Sequence, residues 1–138
     1  MSDKSGDIAN AISGLNDEAK AWALLVASNG EHDKLQNTLV TRMSKLLARR
    51  YPTIKLKALQ EVVQVCFDEK LTHGQELEQR QVTSTIKSRV REMHSSSSYE
   101  TKHAYNEIIN SVMKAFQRWE CQVEEAIRNN MLKSVSFR

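Results

Sequence analysis

The sequence is poor in the residues that make turns, disulfide frameworks and membrane spans. Its 138 residues include one proline, four glycines and two cysteines. Few positions can therefore interrupt helices or build the turn-rich loops of an all-β fold. No apolar run approaches the roughly 18 residues that a membrane-spanning helix needs. Because the polar N-terminus lacks a secretory hydrophobic region, we expect free thiols in an intracellular protein, cytoplasmic or nuclear, without membrane binding.

The side chains that usually carry catalysis or bind cofactors are also sparse. The four histidines are too scattered to place a pair of metal ligands on one helix turn. The glycines lie too far apart for a phosphate-binding loop. No Cys/His or Ser/His pair can be identified that would activate a nucleophile. We therefore expect no metal, no cofactor and no enzymatic activity.

Apolar residues recur with helical periodicity along almost the whole chain. The spacing predicts helices over about 8–26, 31–51, 53–70, 75–94 and 99–132. Asn16 could instead begin a shorter first helix, and Val62 with Val65 make a strand the competing interpretation of the third segment. The sequence thus predicts one all-α domain over residues 1–138, a four- or five-helix bundle with a long C-terminal helix. Residues 1–6 are polar enough for disorder, and the serines at 95–98 form a short linker.

Local signals predict where these helices begin. Capping boxes are expected at Ser28 with Glu31, at Thr72 with Gln75, and at Ser97 with Glu100. Pro52 suits the first turn of the third helix, because a proline there removes no helix hydrogen bond. The residues predicted to face the core of the three middle helices are Leu35, Leu39, Met43, Leu46 and Leu47, then Leu56, Leu59, Val63, Cys66 and Phe67, then Val82, Ile86, Val90 and Met93.

The final helix has the most regular apolar pattern. Alternating steps of four and three residues form a seam of Tyr105, Ile109, Val112, Phe116, Trp119, Val123 and Ala126. Ile108, Met113 and Ile127 widen this seam into a broad apolar face. Such width favours burial against several neighbouring helices. Alternatively, the first six seam residues, Tyr105 to Val123, are candidates for a self-association interface. The sequence does not distinguish burial in the core from self-association.

Positive charge is concentrated in one stretch. Residues 34–57 carry seven basic residues and no acidic residue. A spacing of 100° per residue places Lys34, Arg42, Lys45 and Arg49 within about 80° on the second helix, and Arg80, Lys87 and Arg91 within about 40° on the fourth. Together with Arg50, these two basic stripes are candidates for binding polyanions. Ordinary solvated charge, or a surface for an acidic protein, is the competing interpretation.

Two functions follow as expectations. The first is a non-enzymatic helical interaction or assembly module that binds a protein partner or a second copy of itself, as in a homodimer. The alternative is binding of RNA or DNA without sequence preference through the basic stripes, since contacts to phosphates need no base readout.

Overall fold

Five α-helices make up the part of the chain that the structure describes. This computed structural model describes residues 16–28 and 32–136, with side chains as far as Asn129. The helices are α1 (Asp17–Ala27), α2 (Asp33–Arg50), α3 (Leu56–His73), α4 (Gln79–Met93) and α5 (Tyr99–Ser136). Residues 16–28 and 32–136 contain no strand, so the all-α prediction with a long C-terminal helix is confirmed. The predicted disorder of residues 1–6 concerns a segment outside these ranges.

The first helix begins at the later of the two predicted positions. Asn16 has an extended backbone and its side-chain oxygen accepts a 2.8 Å hydrogen bond from the amide of Ala19. Asp17 and Glu18 follow in the first turn, where negative charge interacts favourably with the helix dipole. A single helix over residues 8–26 is therefore wrong, because Asn16 interrupts it. Ile8, Ile12 and Leu15 lie outside the described residues.

All three predicted capping boxes are misplaced. The N-cap of α2 is His32, while Ser28 ends α1 and donates a 3.1 Å hydrogen bond to the carbonyl of Leu25. Thr72 lies within α3, and the capping box of α4 is formed later, by Glu78 and Gln81. A hydroxyl followed by a Glu or Gln three residues on also occurs inside or after a helix, as at Thr72 and Ser28, so the pattern alone does not locate a helix start.

α5 begins at Tyr99 as predicted, but its N-cap differs from the prediction by one residue, and the start of α3 differs by three. Ser98, not Ser97, accepts a hydrogen bond from the amide of Thr101 at 3.2 Å. Pro52 lies in a turn between α2 and α3, where the amide of Ile54 bonds the carbonyl of Tyr51 at 3.1 Å. Pro52 follows the end of α2 at Arg50, but it does not lie in the first turn of α3, which begins at Leu56. Leu56, the first residue of α3, is exposed rather than buried.

Cross-helix contacts define the direction of each helix. Phe67 and Lys70 of α3 meet Phe116 and Glu120 of α5 in the same order, so α3 and α5 run parallel. On α4, Arg89 pairs with Glu69 and His94 approaches Glu61, so α4 runs antiparallel to α3. Each helix packs on the next one in sequence, α5 returns to α1, and α3 contacts α2, α4 and α5. The architecture is an up-and-down bundle with α3 at its centre.

Four aromatic rings from three helices form the middle of the core. Trp22 of α1 stacks on Phe116 of α5, with ring centroids 4.7 Å apart and planes inclined by 14°. Phe67 of α3 meets the same phenyl ring edge-on at 4.8 Å. Trp119 completes the cluster at 5.9 Å from both Trp22 and Phe116. Aromatic pairs at these separations add specific attraction to the burial of their large apolar surfaces.

The core differs from the predicted set on α2 and α4. Leu39 and Leu47 are buried as expected, but Leu46 is 61% exposed, and Met93 at the end of α4 is 47% exposed. Val40 and Ser44 point inward instead, and the Ser44 hydroxyl donates to the carbonyl of Val40 at 2.7 Å. A serine whose hydroxyl bonds its own helix can be buried at little cost, which is why hydrophobicity alone misassigned this face.

The apolar seam of α5 lies inside the bundle over most of its length. Tyr105, Ile109, Val112, Phe116 and Trp119 are all buried among the other helices. Val123, Ala126 and Ile127 follow as partly exposed residues. The seam therefore supplies the core as far as Trp119, and only its continuation beyond Trp119 reaches the surface. The self-association interpretation stays a prediction for that continuation.

One substitution at two positions of α2 tests the assignment of its buried face. Leu39→Ala removes a side chain that is 1% exposed, so we expect a loss of about 2–5 kcal/mol in the free energy of unfolding. Leu46→Ala alters a surface position and should change that free energy by less than about 0.5 kcal/mol. Urea unfolding followed by circular dichroism measures both. Equal losses at the two positions would contradict the observed orientation of α2.

Candidate functional site

The predicted basic residues lie on the surface and are largely free of ion pairs. Arg42 approaches Glu18 at 3.5 Å, and Arg80 approaches Glu78 at 3.9 Å. Among the described residues, no salt bridge involves the other six candidates, which are Lys34, Lys45, Arg49, Arg50, Lys87 and Arg91. All eight are exposed except Lys87, which is partly buried.

The fold keeps the two basic stripes apart. The helices that carry them, α2 and α4, pack on α3 and not substantially on each other. Arg89 marks the side of α4 that faces α3, because it bonds Glu69 there at 2.7 Å. Arg80, Lys87 and Arg91 lie more than 150° from Arg89 on the helix, or roughly half a turn away. Arg80, Lys87 and Arg91 therefore point away from α3, and the other stripe lies on a different helix, α2, that also packs on α3.

A groove at one end of the bundle is a concave feature formed by four of the described helices and one turn. Its volume is about 870 Å³, and it lies between the C-terminal halves of α1 and α3, the turn that leads to α4, and α5 beyond Trp119. Its apolar surface comes from Trp22, Val26, Leu71, Val123 and Ile127. All of these except Trp22 are partly exposed, so the apolar surface is accessible to a ligand.

Acidic side chains dominate the rim of this groove. Among its described lining residues are Asp68, Glu76, Glu120 and Glu124, with Lys70 as the single basic residue of that set. Glu120 and Glu124 are four residues apart and therefore lie on the same side of α5, one turn apart. The groove combines apolar side chains from α1, α3 and α5 with carboxylates from α3, the turn after it and α5.

The ammonium group of Lys70 joins three helices beneath the groove. Its side chain is only 10% exposed, and its Nζ donates to Glu120 Oε1 at 2.9 Å and to Gln79 Oε1 at 3.1 Å. Gln79 in turn donates to the backbone carbonyl of Met113 at 3.2 Å. This arrangement ties α3 and α4 to α5 and neutralises one of the four carboxylates. Glu76 and Glu124 are the exposed carboxylates without a partner in the described part of the chain.

A second polar cluster supports the opposite wall. Asp68 accepts hydrogen bonds from Gln36 of α2 at 3.1 Å and from Gln64 at 3.0 Å. Gln36 is buried, so this bond satisfies a polar group inside the interface between α2 and α3. At the turn, Gly74 donates to the carbonyl of Lys70, and a Cβ atom at this position would overlap that carbonyl oxygen. A glycine is therefore required where the chain turns beside the groove.

Nucleophilic and metal-binding groups do not converge on this groove. Burial raises the pKa of the Cys66 thiol far above its usual value, so the thiol stays protonated within the core. Cys121 is a free thiol on the outer surface of α5. No group of three or more His, Cys, Asp or Glu side chains suited to a metal occurs in the described segments. Nor is any of the described helices long and apolar enough to cross a membrane.

The sequence predictions did not anticipate the groove. Its residues come from four helices and one turn, and the sequence offers no signal for which helix ends meet. The one local signal in the sequence was the pair Glu120 and Glu124, which adjoins the apolar seam residues Val123 and Ile127. An acidic ridge beside an apolar seam is typical of a binding surface. Comparison with protein-family models, curated proteins and solved structures gives no significant match for this chain.

Two substitutions test the role of Lys70. Lys70→Met leaves Gln79 and Glu120 without their shared donor, so we expect the free energy of unfolding to fall by about 1–3 kcal/mol. Glu120→Gln keeps an oxygen acceptor for the ammonium group, and Glu120 is 39% exposed, so its effect should be smaller. Chemical denaturation of both variants provides the measurement. A larger loss from Glu120→Gln than from Lys70→Met would contradict this account.

Proposed function

We propose that the protein is a non-enzymatic helical interaction module that binds a basic, amphipathic helix of a protein partner in the acidic groove. The observation that carries this proposal is the accessible apolar surface of the groove, which two exposed carboxylates also line, Glu76 in the turn after α3 and Glu124 on α5. An amphipathic helix can bury its apolar side in such a groove while its basic side chains reach the acidic rim. The charged rim supplies specificity and the apolar floor supplies binding energy.

Two synthetic helices test this proposal. The probe is a fluorescent 18-residue amphipathic peptide of leucine and lysine, and its counterpart carries glutamate in place of lysine. We expect the lysine peptide to bind at least about tenfold more tightly, with binding that weakens as salt rises. Fluorescence anisotropy measures both affinities. Equal affinities would contradict the proposed acidic groove.

A pair of double variants locates the binding site. Glu76→Lys with Glu124→Lys reverses two carboxylates of the groove and should weaken binding of the lysine peptide by about tenfold or more. Glu92→Lys with Glu125→Lys makes the same change in net charge at exposed positions that do not line the groove. The second variant should bind nearly as well as the unmodified chain. Equal loss in both would show that the peptide responds only to net charge.

Nucleic-acid binding is a second candidate function, supported by the exposed cations on α2. Lys34, Lys45 and Arg49 project from the side of α2 opposite its buried residues, without an acidic partner in the described structure. This stripe and that of α4 lie on different helices, so the α2 stripe alone offers a short basic surface. Such a short basic surface favours weak, salt-sensitive contact with backbone phosphates.

Charge reversal on α2 tests this alternative. Lys45→Glu with Arg49→Glu should abolish the binding of a mixed-sequence RNA or DNA duplex at low salt, because each basic residue lost removes a phosphate contact. Lys114→Glu with Arg118→Glu makes the same charge change on the exposed surface of α5 and serves as the control. Electrophoretic mobility shift at two salt concentrations gives the readout. Unchanged binding by the α2 variant would exclude that surface.

A further inference from the structure

The last part of α5 extends well past the groove. Among the α5 residues with described side chains, Ile127 is the last that lines the groove, and the helix continues to Ser136. At a rise of 1.5 Å per residue, these nine further residues add about 14 Å of helix. The two helices whose C-terminal halves line the groove end at Ala27 and His73.

The sequence of this extension is basic and apolar, and so complements the acidic, apolar groove. Residues 128–136 contain Arg128 and Lys133 but no acidic residue, and their apolar residues are Met131, Leu132 and Val135. The groove presents the complementary set, an apolar floor with Glu76, Glu120 and Glu124 around it. A basic, apolar helix and an acidic, apolar groove therefore lie next to each other at one end of the same molecule.

From this complementarity we infer that the occupant of the groove is a second copy of this chain, which inserts residues 128–136 of its α5. This inference rests on the proposed function and names its partner. Two copies related by a twofold axis near residue 128 would cross their α5 helices in antiparallel directions. Residues equally far from 128 would then face each other, which places Glu124 of one copy near Leu132 and Lys133 of the other. Each copy fills the groove of its partner, so the contact closes at a dimer.

Two oppositely charged variants test the pairing. The groove variant carries Glu76→Lys and Glu124→Lys, and the extension variant carries Arg128→Glu and Lys133→Glu. We expect the unmodified chain to have a dimer mass by light scattering at about 100 µM, and each variant alone to have a monomer mass. An equimolar mixture should recover the dimer mass, because every groove then meets an extension of opposite charge. The control variants Glu92→Lys with Glu125→Lys, and Lys114→Glu with Arg118→Glu, should each remain dimeric alone.

The outcomes separate this inference from the proposed function. An excess of the leucine–lysine peptide should reduce the dimer mass of the unmodified chain to that of the monomer by occupying the grooves. An unmodified chain that is monomeric yet binds this peptide would overturn the second copy as occupant and leave the groove as a site for another protein. A dimer that persists in both charge variants would also overturn the inference. Circular dichroism of each variant shows whether a monomer mass results from unfolding of the variant and not from the lost contact between copies.

Discussion

The stacking of Trp22 on Phe116 is the interaction on which the rest of the bundle depends. It joins α1 to α5, and the edge-on contact of Phe67 with the same phenyl ring adds the central helix α3. Three helices from distant parts of the sequence are thereby fixed in one register. The remaining two helices, α2 and α4, pack on α3, and their positions follow from short connections at each end.

This arrangement also determines where the core ends and the groove begins. Trp22 contributes to both, since its ring stacks in the aromatic cluster and also lines the groove. Beyond Trp119, the seam of α5 loses its close neighbours and Val123 becomes partly exposed. The groove is therefore the place where α1 and α3 cover the apolar seam of α5 only in part. A surface of this kind can be stabilised by a further helix, which is the physical basis of the proposed interaction.

The fold could be predicted from the sequence because helical periodicity is a local property. The 3.6-residue recurrence of Val82, Ile86 and Val90, for example, depends on no other part of the chain, and all three are buried. Helix starts were predicted less well, since a hydroxyl such as Thr72 can serve as a cap or lie inside a helix. Leu46 was misassigned because the direction in which α2 faces the core depends on its neighbours α1 and α3. The groove depends on which helix ends meet, and no local pattern contains that information.

The order of the helices has a consequence for how the chain folds. Contacts between consecutive helices are close in sequence, so their formation closes only short loops. The packing of α1 on α5 is different, because Trp22 and Phe116 are separated by most of the described chain. We expect the central helices to associate early, at the speed typical of helical proteins with local contacts, and α1 to dock in a later step. Trp22, which links α1 to α5, would then report on the completion of folding.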